Sequence, residues 1–258
     1  MSITVIYPFY NNEACIKKSL LSIINQSYKS WKIILINDCS KDDSLKIVKE
    51  ILKKQNISKK KYILINNKNN IGITKCLNLA LKISKSKFIA RADADDFYHR
   101  HRFKIQMDFL KKNSYVDVVG TNANIINING KLLEKVSMPS SDKMIKKILV
   151  YRNVFFHSSI IARREFFKRN NFYNAIYPNA QDYDLWLRGY KNSTYANINK
   201  YLIFYRRDYK NFSISKIKCS TLIRFKFLIR EKLYLRGFYL LLLNMTVDLS
   251  KYLKGKLF

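Results

Sequence analysis

Three aspartates stand within four positions in the segment FIARADADDFYHR, residues 88–100. Asp93, Asp95 and Asp96 follow the apolar Phe88, Ile89 and Ala90, which read as the end of a buried strand. An Asp-x-Asp pair on a loop after a strand can hold a hard divalent cation that takes its other ligands from water and phosphate oxygens. The same residues also suit an Asx-turn and a cap for a helix starting near residue 100. The pattern alone does not choose between the two readings.

Other candidates share this ambiguity. Asp38 ends the apolar stretch WKIILIND, where an acid can accept hydrogen bonds from ribose hydroxyls or a base, or can cap the next helix. NAQDYDLWLRGY carries Asp182 and Asp184 beside aromatic rings. A carboxylate there can serve as a general base, and it can equally stabilise a helix start. Tyr205-Arg206 at a strand end can clamp a diphosphate, or Arg206 can be an ordinary surface arginine. His157 reads as a structural histidine, and His99 and His101 as surface or capping residues. No Gly-rich loop follows the first strand, where Pro8-Phe9-Tyr10-Asn11 stands instead, which argues against a P-loop and a dinucleotide site.

The elements that must position these groups follow from hydrophobic period. ITVIYPFY (3–10), WKIILIND (31–38), KYILIN (61–66) and KFIARAD (87–93) read as buried strands. Between them Ile16, Leu20, Ile23 and Ile24, then Leu45, Val48 and Leu52, then Ile73, Leu77 and Ala80 recur at helical spacing. Ser40 and the acids after it suit a helix start, and Asn11 and Asn12 can cap the first helix. Strand alternating with helix implies crossover units, a mainly parallel sheet and helices on both faces. Ligands of such sheets bind beyond the C-terminal strand ends. Asn11, Asp38 and the aspartate cluster all fall there. Beyond Asp96 the chain predicts a helix over 100–112, an antiparallel turn at Asn129-Gly130, a helix over 141–150, strands at 157–163 and 200–207, and a helix entered at 181.

The chain has 258 residues, 48% of them hydrophobic, enough for a substantial core. It carries 49 Lys and Arg against 18 Asp and Glu, a formal charge of +31. That charge fits a biased composition, and it fits an anionic partner such as a membrane surface, nucleic acid or phosphorylated substrate. Cys15, Cys39, Cys76 and Cys219 are scattered without zinc spacing, which fits a reducing cytosol. The N-terminus does not read as a signal peptide, and no run reaches the roughly 18 apolar residues of a spanning helix. Beyond residue 210, Lys216, Lys218, Arg224, Lys226, Arg230, Lys232 and Arg236 stand among Leu, Ile, Phe and Tyr. This tail reads as an interfacial helix on a membrane or as a helical hairpin packed on the domain.

Taken in order, these segments resemble the family 2 glycosyltransferases of the GT-A fold, of the kind that build bacterial cell-surface polysaccharides. VIYPFYNNEACIKKSLLSIINQSY is similar to the family's P-x-Y-N turn and its helix ending S-x-x-x-Q. IILINDCSKDDS is similar to its second strand with the nucleotide-binding aspartate, and NNIGITKCLNLAL to its N-x-G…N segment. ARADADD matches its Asp-x-Asp motif. AQDYDLWLR resembles E-D-Y-D-L-W-L-R, and YRRD with the S-x-S after it resembles the closing Y-R-x-H segment.

The resemblance runs from about Ile3 to Ser215 and implies a GT-A domain over 1–210 with a helical tail over 211–258. It implies an inverting transferase that uses a nucleoside diphosphate sugar, a UDP-sugar first, and a glycan or lipid-linked acceptor. Pro8, Tyr10, Asn11, Asp38, Gly72, Asp93 and Arg206 would surround the donor, Asp95 with Asp93 would hold Mn²⁺ or Mg²⁺, and Asp182 would be the base. The implied location is the cytoplasm, peripheral at the inner membrane face. Two departures stand out. Gln181 replaces the family's first acid, and Asp208 replaces the closing histidine. A nucleic-acid-binding protein would explain the charge but lacks a reader motif. A sugar nucleotidyltransferase would need a Gly-rich loop.

Overall fold

The computed structural model describes residues 2–207 and 214–231. Asp208 and the tail beyond residue 231 lie outside the described residues. Strands β1 (Ile3–Phe9), β2 (Trp31–Asn37), β3 (Tyr62–Asn66) and β4 (Phe88–Arg91) alternate with helices α1 (Glu13–Ile24), α2 (Ser44–Lys54) and α3 (Ile73–Ile83). All three pairings among these strands are parallel, in the order β3-β2-β1-β4. β1 shows why they form a two-sided layer. Ile3, Val5 and Tyr7 pack into one core and Ile6 into the other, as the two-residue side-chain period requires.

The second half is mixed. β5 (Phe97–Tyr98), α4 (Arg102–Lys112), β6 (Val118–Ile126), β7 (Leu132–Val136), α5 (Asp142–Leu149), β8 (Ile161–Arg163), α6 (Arg164–Arg169), α7 (Gln181–Arg188) and β9 (Tyr195–Arg206) follow, and then α8 (Ile214–Arg230). The sheet continues β4-β8-β6-β9-β5, with β7 on β6. β4 to β8 and β8 to β6 are antiparallel, while β6 to β9 is parallel. The expected parallel sheet therefore covers the first half, and the antiparallel strands curl the layer around the acidic loop. The expected strand at 157 begins only at Ile161, because residues 157–159 form a 3-10 turn.

Helices α1, α2 and α4 cover one face through Leu20, Val48, Phe103 and Met107. Helices α3, α5, α6, α7 and α8 cover the other through Leu77, Ile145, Phe166, Trp186 and Phe227. On α8, Ile223, Phe227 and Leu228 are buried, each stabilising the docked helix by about 1.5–3 kcal/mol.

One close approach deserves a test. At Gly120 on β6, an added Cβ would meet Asn197 Oδ1 on β9 and lie 2.8 Å from Phe155 Cδ1. The Asn197 amide is held by its Nδ2 bonds to the Pro139 and Val154 carbonyls and the Phe155 ring is buried, so Gly120→Ala is expected to destabilise the fold by about 1–3 kcal/mol. Denaturant unfolding of the variant measures this, and an unchanged midpoint would contradict the packing described.

Candidate donor and acceptor site

The acidic loop hangs between β4 and β5 and is pinned by buried polar side chains. Ser19 Oγ on α1 donates to the Asp93 carbonyl at 2.9 Å. Gln26 Nε2 donates to the His99 carbonyl at 2.9 Å, and its Oε1 accepts from Phe103 N at 3.0 Å. Tyr98 N donates to Ser22 Oγ at 3.1 Å. The S-x-x-x-Q pattern, Ser22 to Gln26, is thus a pair of clamps that hold the segment after the aspartates against α1. Arg102 lies under the loop, fully buried. Its guanidinium donates to the Arg91 and Ile160 carbonyls at 3.0 and 3.2 Å. These bonds join β4 to the segment before β8, and so bring His157 and Ser158 beside the aspartates.

The three aspartates do different work. Asp96 is buried, and both its oxygens are engaged. Oδ1 accepts from the Arg206 backbone N–H at 2.8 Å, and Oδ2 accepts from the Ser158 hydroxyl. Asp93 pairs through Oδ1 with the buried Arg91 guanidinium. Asp95 lines the cavity beside them. Burial first, then the neighbouring Asp93, pushes the Asp95 carboxyl up to about 6. Burial, then Asp95 and Asp93, also holds Asp96 well above the carboxylate range. Oxygens of the three lie within 4.8 Å of one another. A cluster of hard oxygen donors with crowded like charge fits Mn²⁺ or Mg²⁺. With Asp96 tied to Ser158 and Arg206, Asp95 and Asp93 are the carboxylates that would hold such an ion.

Asp38 directly follows β2, buried at 4% exposure. Its Oδ1 accepts from Asn67 Nδ2 at 2.8 Å and Ile71 N at 2.9 Å, and its Oδ2 accepts from Gly72 N at 2.8 Å. The carboxylate therefore anchors the 67–72 loop as well as lining the cavity. Gly72, at φ 85°, lets the chain turn from that loop into α3. Asp38→Ala strands these donors, so it is expected to lower stability by at least about 2 kcal/mol. The resemblance implies a nucleoside contact for Asp38, so the same variant is expected to weaken free UDP and a UDP-sugar alike. Thermal unfolding and calorimetry of both ligands read this, and loss confined to the sugar nucleotide would move Asp38 elsewhere in the site.

Two adjoining cavities open here. One, of about 360 Å³, is lined by Pro8, Tyr10, Asn12, Asp38, Asn70, Gly72, Arg91, Asp93 and Asp95 among others. The second, of about 570 Å³, is lined by aromatics including Tyr151, Phe155, Phe156 and Tyr205, with Arg152, Asn153 and Asp182. Ile73, Asp93, His157 and Gln181 belong to both walls. Asp182 Oδ2 accepts from Asn153 Nδ2 at 2.7 Å. Asp184 is buried and paired with Arg188 Nε at 2.8 Å, away from both cavities. The turn into α7 is strained, because Ala180 sits at φ 60°, which costs a residue with a Cβ about 1 kcal/mol.

Not every expected donor residue faces a cavity. Asn11, at φ 50°, accepts from Lys41 N at 2.8 Å, so its side chain braces the turn against the segment after β2. Arg206 Nε donates to the Asp95 carbonyl at 3.0 Å, and its Nη1 donates to the Asn127 and Ile128 carbonyls. Its guanidinium thus braces the acidic loop against the β6–β7 turn. The expected helix caps also differ. Ser40 Oγ accepts from Asn11 N, and Asp42 bridges Glu13 N and Ser44 N, so α1 and α2 cap one another.

His157, Arg91, Gln181 and Asn153 line the site without having been assigned to it from sequence. His157 Nε2 lies 2.8 Å from the Tyr173 hydroxyl. Burial, then Arg91, holds its imidazole down to about 3, so it is neutral near pH 7. From its type and setting in the sequence alone His157 reads as a structural histidine. Only the β4–β8 pairing shows that this one stands between two cavities.

Comparison with known proteins agrees with this geometry. The model of glycosyl transferase family 2 matches residues 4–171. An uncharacterized glycosyltransferase of Haemophilus influenzae is 30% identical over 79% of this chain, which spans 65% of that relative. The Escherichia coli O-antigen biosynthesis glycosyltransferase WbnJ is 29% identical, with 79% of each protein covered. S. aureus TarS 1–349, crystallised with UDP-GlcNAc, superposes with a TM-score of 0.67 at 19% identity, covering 99% of this chain and 79% of that one. The mannosyltransferase PcManGT of Pyrobaculum calidifontis, in complex with GDP-Man and Mn²⁺, gives 0.69 at 16% identity over 98% and 73%. The structural likeness carries the GT-A fold, and the match over most of the chain carries the family: this protein is a member of glycosyl transferase family 2.

Proposed function

We propose that the chain moves a sugar, with inversion, from a nucleoside diphosphate sugar to a hydroxyl of a glycan or lipid-linked acceptor, assisted by Mn²⁺ or Mg²⁺. The observation that carries this reading is the shared wall of the two cavities. Asp95 stands on the donor side and Asp182 on the acceptor side, with Asp93 between them. Tyr10 and Asp38 flank the nucleoside end, and Pro8 and Gly72 shape it. Arg91 orients Asp93. The acceptor oxygen forms its bond to the anomeric carbon as the bond to the diphosphate oxygen breaks. The electron pair leaves with the diphosphate, and the hydroxyl proton passes to the Asp182 carboxylate. A divalent ion bound by Asp95 and Asp93 would offset charge on the leaving diphosphate. Gln181 accepts no proton usefully and Asp93, on the shared wall, is paired with Arg91, which leaves Asp182 as the base.

Several further points support the reading. The solved structures of similar fold hold UDP-GlcNAc in one case and GDP-Man with Mn²⁺ in another, and one relative works in O-antigen biosynthesis. The catalytic domain is taken as residues 1–210 and the tail as 211–258. Among the described residues no helix is long and apolar enough to cross a membrane. A cytoplasmic site of action, peripheral at an anionic membrane surface, suits a lipid-linked acceptor and the charge of +31. Nucleic acid is not a partner in this reading. A panel of sugar nucleotides is expected to raise the thermal unfolding midpoint, with Mn²⁺ enhancing the best of them. Protection by none, with or without metal, would overturn the proposal.

A further inference from the structure

Helix α8 has two working faces. Inward, Ile223, Phe227 and Leu228 are buried on the domain, and Arg224 Nη1 donates to the Tyr151 carbonyl at 2.6 Å. Ile217, Ser220 and Arg224 close one wall of the acceptor cavity. Outward, Leu222, Phe225 and Ile229 are 45%, 46% and 44% exposed. Their spacing of three and four residues places them on one stripe of the helix. Soluble helices turn polar residues outward, so three large apolar side chains at the centre of the solvent face call for an occupant. The exposed Lys218 lies in line with the stripe and the exposed Lys226 beside it.

We propose that this stripe lies on an anionic lipid surface, with Leu222, Phe225 and Ile229 in the headgroup–acyl boundary and Lys218 and Lys226 among the phosphates. An apolar stripe bordered by lysines matches a bilayer of that charge. The proposal rests on the glycosyltransferase reading for its consequence. The same helix separates lipid from the acceptor cavity, so the cavity stands about 10 Å from the surface, the thickness of a helix. That distance selects an acceptor whose reactive sugar sits close to its lipid headgroup.

The test uses the full chain. Trp31 and Trp186 are both buried, so Phe225→Trp adds an indole that reports on the stripe. Its emission is expected to be that of an exposed indole in buffer, to shift to the blue on adding phosphatidylglycerol-containing vesicles, and to be quenched by brominated lipid. High salt should reduce the shift by screening the lysines. Replacing Leu222, Phe225 and Ile229 together with serine should weaken vesicle binding at least roughly tenfold, with donor protection against unfolding retained. An indole already buried before vesicles are added would show that residues 232–258 cover the stripe, and would overturn the proposal. An exposed indole indifferent to vesicles would overturn it as well. Loss of donor protection with vesicle binding intact would count against the transferase reading alone.

Discussion

Asp182→Asn is expected to lower turnover by roughly 10²–10⁴-fold, the usual worth of a positioned base, while donor affinity changes little. Inversion requires the acceptor oxygen to attack from the face opposite the leaving diphosphate, and its proton must go to a group on that side. Asp182 lines the second cavity, proposed for the acceptor, and lies outside the first, proposed for the donor. Asparagine keeps an oxygen to accept the Asn153 bond while basicity is lost. A fall in turnover without a change in donor binding is the signature of an interaction made in the transition state. Asp184→Asn separates chemistry from architecture. Its partner is Arg188 Nε, and Arg188 Nη2 also donates to the Phe172 carbonyl at 2.6 Å. That variant should lose stability and keep most of its turnover per folded molecule. Near-normal turnover in Asp182→Asn would remove it from the base role.

Asp95→Ala is expected to abolish the metal-dependent part of donor affinity, a loss of roughly 10²-fold, or about 3 kcal/mol. Asp93→Ala should cost less in direct ligation, because Arg91 already holds one of its oxygens. The raised carboxyl of Asp95, at about 6, adds a pH signature. Below that value the metal-free site holds a proton on Asp95, which a cation must displace. Metal-supported donor affinity should therefore fall as pH drops through about 6 and level off above it. Calorimetry with Mn²⁺ at a series of pH values reads both effects. An unchanged donor affinity in Asp95→Ala, or a pH step that survives in it, would move the metal elsewhere.

The sequence marks some parts of this structure strongly and others hardly at all, for physical reasons. Runs such as ITVIYPF and WKIILIN are legible because parallel strands are buried on both faces, and the site residues at their ends follow from that geometry. The clamps Ser22 and Gln26 stand in a recognisable pattern, but their partners, Tyr98, His99 and Phe103, lie more than seventy residues away. VDVVGTNANIINING reads as alternating antiparallel strands turning at Asn129-Gly130, and β6 and β7 pair so, but the parallel pairing of β6 with β9 joins segments too distant for local pattern to encode. β9 begins at Tyr195 rather than near 200 because Asn197 and Asn199 interrupt its apolar pattern. Their side chains make long-range bonds, Asn197 Nδ2 donating to the Pro139 carbonyl and Asn199 Oδ1 accepting from Asn122 Nδ2. The placement of His157 and Asn153 depends on antiparallel strands joining distant segments, which no local pattern encodes. Of the aspartates, spacing marks the cluster and the resemblance assigns Asp93 and Asp95 to a metal, while the anchoring role of Asp96 shows only in its contacts with Ser158 and Arg206.

The most direct test of the account is the anomeric configuration of the sugar first released when water replaces the acceptor. An α-linked sugar nucleotide that protects the fold is incubated with the enzyme and Mn²⁺, and proton NMR follows the free sugar before it mutarotates. Attack from the Asp182 side, opposite the diphosphate, predicts that the β anomer appears first, and that Asp182→Asn slows its appearance. Initial release of the α anomer would contradict inversion and the division of the site between Asp95 and Asp182.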